Sequence, residues 1–221
     1  MTSNNIRSKK KVELSAILPL LNKNALFFFA WDLHKLKDDK KKQEAKIDLE
    51  QQFLWFNAYL KNIKLQGIIY DNIFDVYVFE DSILFINQDI TWTFPRIKGK
   101  CIVDSVKDFN KIALQIVTLG NKVKEIYNKF EDEADYSKAF YFHGFTVWLT
   151  EALAEYNHKL LHKVLGRDKK LERYSFGYPL CPDLSMQKDL FNLLGMAEKD
   201  EVSLTSAFLM DPEQSTSGLI I

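Results

Sequence analysis

Residues 65–87 read LQGIIYDNIFDVYVFEDSILFIN, and the rhythm of this stretch decides the fold class. Isoleucine, valine, tyrosine and phenylalanine dominate it, and such side chains suit a pleated, half-buried surface better than a helix. The interposed aspartates and asparagines predict two or three strands joined by tight turns. The segment before it keeps a different period. From Gln43 to Ile63 the apolar residues Ile47, Leu49, Phe53, Leu54, Phe56 and Leu60 recur at helical spacing between charged positions, which predicts an amphipathic helix. The run DDKKK at 38–42 is a solvated connection leading into it.

Downstream, Cys101–Val106 and Lys111–Thr118 are further strand candidates, and Gly120 closes the second. Val123–Phe130 reads as a short helix. Residues 137–165 form the longest periodic segment, with Phe142, Phe145, Leu149, Leu153, Tyr156, Leu160 and Val164 along one face and Gly166 as its stop. Ser185 is placed to cap a short helix through Leu194. SLTSAFLM (203–210) and STSGLII (215–221) are strand-like pieces around DPEQ. Strand runs and helix runs are segregated rather than alternating. This predicts an α+β fold: a single domain over 13–221, with a twisted, mainly antiparallel sheet flanked by helices. Residues 1–12 read as a flexible basic leader.

Bulk properties narrow the function classes. At 221 residues with 47% hydrophobic composition the chain can bury a substantial core and is not a disordered one. Thirty basic residues balance thirty acidic ones, so no overall field favours nucleic acid or a membrane surface. The apolar stretch ALFFFAW at 25–31 is far short of the roughly 20 residues that span a bilayer. The N-terminus lacks the apolar core of a secretory signal, so a cytoplasmic location is expected. Cys101 and Cys181 are then expected to be buried thiols rather than a disulfide.

Few motifs carry chemistry by themselves. His158 and His162 stand one helical turn apart, with Glu151 and Glu155 before them. Such a pair binds zinc only if a third ligand converges, and HKLLH lacks the glutamate of a zinc protease; two solvated histidines near a helix C-terminus are the simpler reading. No CxxC, phosphate loop or nucleophile elbow occurs. FFFAW and FYFHGF read as packed core. The loop RYSFGYPLCPD, 173–183, is different: its prolines, glycine and aromatics make a rigid irregular backbone with an arginine at its head. It is either a corner between two elements or a cradle for a small anionic group.

That loop resembles the R-x-x-x-G-Y-P-x-C-P motif of the C-terminal activation domain of cobalamin-dependent methionine synthase. LTEALAEYNHKLLHKV (149–164) looks like the long helix before the family motif, and QKDLFNLL (187–194) like the short helix after it. SLTSAFLMDPEQSTSGLII resembles the form LTESFAMxPxxSVSGxxF, and LPLLNKNALFFFAWDLHKLK resembles PxIDWxPFFxTWxLxG. Residues 67–86, 101–106 and 111–120 correspond more loosely to the middle strands. Five segments in order are far more specific than one loop.

The resemblance implies a fold and a role. In the family, cobalamin occasionally oxidises to an inactive form, and its uphill reduction by flavodoxin is pulled through by irreversible methyl transfer from S-adenosylmethionine. The domain supplies orientation and electrostatics. It implies that Arg173 holds the ligand carboxylate through a planar fork, and that Gly177 permits close backbone approach. Tyr178 would offer a ring and a hydroxyl, and Glu151 would answer the positive end. Cobalamin is expected only through a partner, the cobalamin-binding part of a methionine synthase, with a flavodoxin-like electron donor. The expected form is a stand-alone reactivation subunit; the alternative is a degenerate homologue acting as an interaction module for a cobalamin protein.

Three departures from the family pattern stand out. Its Ile-Asp-Trp becomes Asn22-Lys23-Asn24, placing Lys23 where an aspartate contacts the ligand. A lysine ~5 Å from a cationic ligand would cost on the order of 3 kcal/mol at an effective dielectric of ~20. The linker GRDKKLE (166–172) is compressed, leaving Glu172 as the acidic residue nearby. The sequence also ends at Ile221, before a further segment that holds a ligand-contacting tyrosine in the family.

Overall fold

The structure, a computed structural model, describes residues 8–107, 109–166 and 171–221. The chain opens on β1 (Ser8–Glu13), followed by a short helix α1 (Leu14–Ile17), a 3-10 turn at Leu18–Leu20, α2 (Lys23–Ala25) and a π-helical turn at Leu26–Ala30. Asp38 caps α3 (Asp39–Asn62) by accepting from the Lys41 amide at 2.9 Å. Strands β2 (Gln66–Phe79), β3 (Ser82–Phe85), β4 (Thr91–Thr93) and β5 (Lys111–Thr118) come next. Then come α4 (Asn121–Asp132) and the 30-residue α5 (Tyr136–Leu165), stopped by Gly166 in the left-handed conformation. β6 (Arg173–Tyr174), α6 (Met186–Leu193), the hairpin β7 (Ser203–Leu204) with β8 (Met210–Asp211), and β9 (Ser215–Ile220) complete the fold.

The main sheet has seven strands in the order β4-β3-β2-β5-β9-β6, with β1 also paired to β2, and each of these pairs is antiparallel. Two apolar cores enclose it. On one face Ile69 and Val117 meet α1, α3, α4 and α5, including the fully buried Phe142, Phe145, Leu149 and Leu153. On the other, Ile112, Leu114, Ile116 and Leu219 meet α6, the β3–β4 hairpin and the loop carrying Phe176 and Cys181. Each large side chain so buried contributes about 1.5–3 kcal/mol. Burial on both faces explains why β5 is almost uninterruptedly apolar.

Several local expectations need correction. Of the expected leader, 1–7 lie outside the described residues, and from Ser8 the chain is an edge strand. Two of its lysines meet buried carboxylates: Lys10 reaches Asp71 at 2.8 Å and Lys9 reaches Asp200 at 3.4 Å, while Val12 turns inward. The same Lys10 contact lets β2 run through Asp71 and Asn72 as one long strand, where turns were expected. Cys101–Val106 is not a strand. Ile102–Ser105 is a 3-10 turn, because Asp104 accepts from the Cys101 amide at 3.0 Å and is held by Arg96. Leu161, not Val164, continues the buried face of α5, and Val164 is exposed. Ser185 makes no side-chain cap; its amide and hydroxyl both donate to Asp183. Among the described residues no helix is long and apolar enough to cross a membrane.

Candidate functional site

Strand β6 lies at the open edge of the sheet, with Arg173 opposite Ile220 and Tyr174 opposite Leu219 on β9. Only two residues pair before the chain leaves the edge. Phe176 then plugs into the core edge-on against Trp92, centroids 5.6 Å apart, and Cys181 is buried four positions beyond Tyr178's predecessor Gly177. Two short backbone bonds close the loop between these anchors: Gly177 donates to the Cys181 carbonyl and Cys181 to the Tyr178 carbonyl, each at 2.8 Å. Gly177 has φ +85°, a region that strains any residue with a Cβ. Pro179 and Leu180 form the tip, and Tyr178 is left 66% exposed. Burial pushes the Cys181 thiol up to about 12, so it is an inert anchor.

Above this loop stands α5, which brings Glu151 to the head of β6. Arg173 Nη2 donates to Glu151 Oε2 at 2.5 Å. The arginine side chain is 22% exposed and the glutamate 44%, so the pair sits at the wall of a groove rather than inside the core. Arg173 Nη1 is buried and has no hydrogen-bond acceptor among the described residues. An unsatisfied donor on a permanently charged group is costly. One cavity of about 520 Å³ is lined by Glu151, Arg173, Tyr174, Tyr178 and the Pro179–Cys181 tip. A second, of about 650 Å³, shares Glu151, Ser175 and Tyr178 and continues toward β8 and β9.

All four residues singled out in the sequence thus fall in one place: Arg173, Glu151 and Tyr178 line the first cavity, and Gly177 shapes the loop beneath it. Tyr174 and Ser175 were missed, though they stand inside the quoted motif. Burial, then a hydrogen bond to Glu172, pushes the Tyr174 hydroxyl up to about 12. That contact places the Glu172 carboxylate on Tyr174. Of the compressed linker, 167–170 lie outside the described residues.

Lys23 is turned elsewhere. Its ammonium pairs with Glu50 of α3 and lies 4.9 Å from the Phe53 ring centroid and 5.8 Å from that of Phe27. It lines neither cavity, and Glu50 neutralises it locally. His158 is mostly buried beside Glu155, and burial lowers its pKa. No cluster of three potential metal ligands occurs among the described residues. Within the aromatic runs, Phe27, Trp31, Phe142 and Phe145 are core as expected, whereas Phe28, Phe29 and Phe140 are exposed.

Comparisons with known proteins bear on the fold and the family. A structure of the MetH reactivation domain bound to AdoHcy superposes with a TM-score of 0.84 over 97% of this chain and 78% of that one, at 19% identity. The methionine synthase of Mycobacterium leprae (strain TN) is 27% identical over 166 residues, 61% of this chain and 14% of that protein. That of Mycobacterium tuberculosis (strain ATCC 25618 / H37Rv) is 28% identical over 160 residues, 58% of this chain and 13% of that protein. The matched region is therefore a small part of those enzymes. The family model for the vitamin B12 dependent methionine synthase activation domain matches residues 13–221, nearly the whole sequence, and the chain belongs to that family.

Proposed function

We propose that the groove at the head of β6 binds S-adenosylmethionine and presents its methyl group to cobalamin held by the cobalamin-binding part of a methionine synthase, supporting reductive methylation of oxidised cofactor. The observation that carries this reading is the Arg173–Glu151 pair side by side in the wall of the cavity of about 520 Å³. An α-amino acid end carries a carboxylate and an ammonium about one bond angle apart. A guanidinium and a carboxylate side by side are its electrostatic complement. Arg173 would take the ligand carboxylate and Glu151 its ammonium. Tyr178 exposes a ring at the groove wall for the adenosine, and Gly177 lets the loop backbone approach it closely. The ligand supplies an activated methyl group on a sulfonium centre. The protein's residues orient it and need perform no proton transfer. The AdoHcy named with the MetH reactivation domain supports this choice of ligand class.

A second reading draws on the same contact. With Nη2 already closed on Glu151, the pair could serve as a strut in an interaction module for a cobalamin protein. The test supplies the chain, an oxidised cobalamin-binding region of a methionine synthase, a flavodoxin-like reductant and methyl-labelled S-adenosylmethionine. Label appearing on cobalamin, dependent on the chain, is expected. Complex formation without label transfer would support the interaction module instead.

A further inference from the structure

Gly218 lies in the middle of β9, where a glycine weakens a strand and calls for a reason. Its φ is not positive, so backbone freedom is not that reason. Space is. A Cβ at 218 would stand 3.1 Å from Arg173 Cγ, 3.5 Å from Arg173 Cδ and 3.2 Å from the Tyr174 carbonyl oxygen. Arg173 pairs with Ile220, two positions along, so the strand's period of two puts Arg173 and Gly218 on the same face. The arginine stem lies flat over bare backbone on its way to Glu151. The floor beside it is buried: Gln115, opposite Gly218 on β5, is fully buried and accepts a hydrogen bond from Asn157 of α5 at 2.9 Å.

We infer that Gly218 is a positioning residue for the ligand site: the missing side chain sets the path of the Arg173 stem and hence the aim of its guanidinium. The inference rests on the ligand reading proposed above. With alanine at 218 the Tyr174 carbonyl and the Arg173 stem must each give by a few tenths of an ångström, and the shift of the stem re-aims the guanidinium relative to Glu151 and the groove.

The experiment is a double-mutant cycle with Gly218→Ala and Arg173→Ala, read by S-adenosylmethionine affinity. It is paired with the nitrogen-15 resonance of the Arg173 Nε–H in the protein without ligand. Gly218→Ala alone is expected to weaken binding at least tenfold and to move the Arg173 resonance toward that of a solvated arginine. On the Arg173→Ala background it is expected to cause less than a twofold further loss, because the stem it displaces is gone. Additive losses, or an unmoved resonance, would overturn the inference. If Gly218→Ala does not fold, the double variant decides: folding restored by removing the stem supports the inference, and continued failure contradicts it. If the wild-type chain binds no S-adenosylmethionine, the ligand reading fails, and the resonance still tests the positioning.

Discussion

Replacing Arg173 by methionine keeps an aliphatic stem over Gly218 and removes only the guanidinium, so its consequences separate the two roles the residue could have. As an ion-pair strut, Arg173 contributes little. It and Glu151 are 22% and 44% exposed, and pairs so open to solvent are worth about 0–1 kcal/mol. In a domain of this size that corresponds to a fall in melting temperature of roughly 2–4 °C at most. As a ligand anchor it contributes more, since a charge-assisted hydrogen bond to a carboxylate is worth about 1.5–3 kcal/mol. Removing it should weaken S-adenosylmethionine roughly 10- to 150-fold. Calorimetric titration and thermal melting of the same two preparations measure both quantities. Affinity unchanged while the melting temperature drops by more than about 5 °C would refute the reasoning, because the guanidinium would then act on the fold and not on the ligand.

Two further outcomes follow from neighbouring geometry. Gly177→Ala puts a side chain at φ +85° and brings its Cβ to 3.1 Å from Leu184 Cδ2. The variant should lose on the order of 1–2 kcal/mol in a denaturant titration and bind the ligand more weakly, and unaltered stability would show that the loop does not need its left-handed turn. His158 is held neutral in the fold chiefly by burial, opposed by Glu155 and reinforced by Arg173, so its folded pKa lies below the ordinary 6.5. The unfolded chain therefore binds the extra proton first as pH falls below about 6.5, and stability declines through that window. His158→Gln should shrink the loss of melting temperature between pH 7 and pH 5, and an equal or larger loss would contradict this.

The helices and the central strand were legible because their periodicity is strong. The apolar run of β5 and the span of α5 appear within a residue of their expected places, whereas α3 starts at Asp39, four residues before Gln43, and Ile47 and Leu54 of its expected face are exposed. What escaped depended on partners far away in sequence. Lys9 and Lys10 look solvated until Asp200 and Asp71 are placed beside them, and Asp71 looks like a turn until Lys10 neutralises it within the strand. Asp104 turns 102–105 into a 3-10 piece only because Arg96 holds its carboxylate, which drops well below the usual range. Within the site, the motif exposes Arg173, Gly177 and Tyr178, and the long helix exposes Glu151. Their convergence needs α5 laid across the sheet edge. That Lys23 faces Glu50 likewise required α3 in position.

The central claim is that Arg173 grips the amino-acid end of a sulfonium nucleoside, and a crystal structure of the chain with saturating S-adenosylhomocysteine addresses it directly. The account predicts the ligand carboxylate about 2.7–2.9 Å from a nitrogen of the Arg173 guanidinium, the ammonium on Glu151 and the adenosine beside Tyr178. A structure in which Arg173 contacts only Glu151 and the nucleoside lies away from this groove would contradict it.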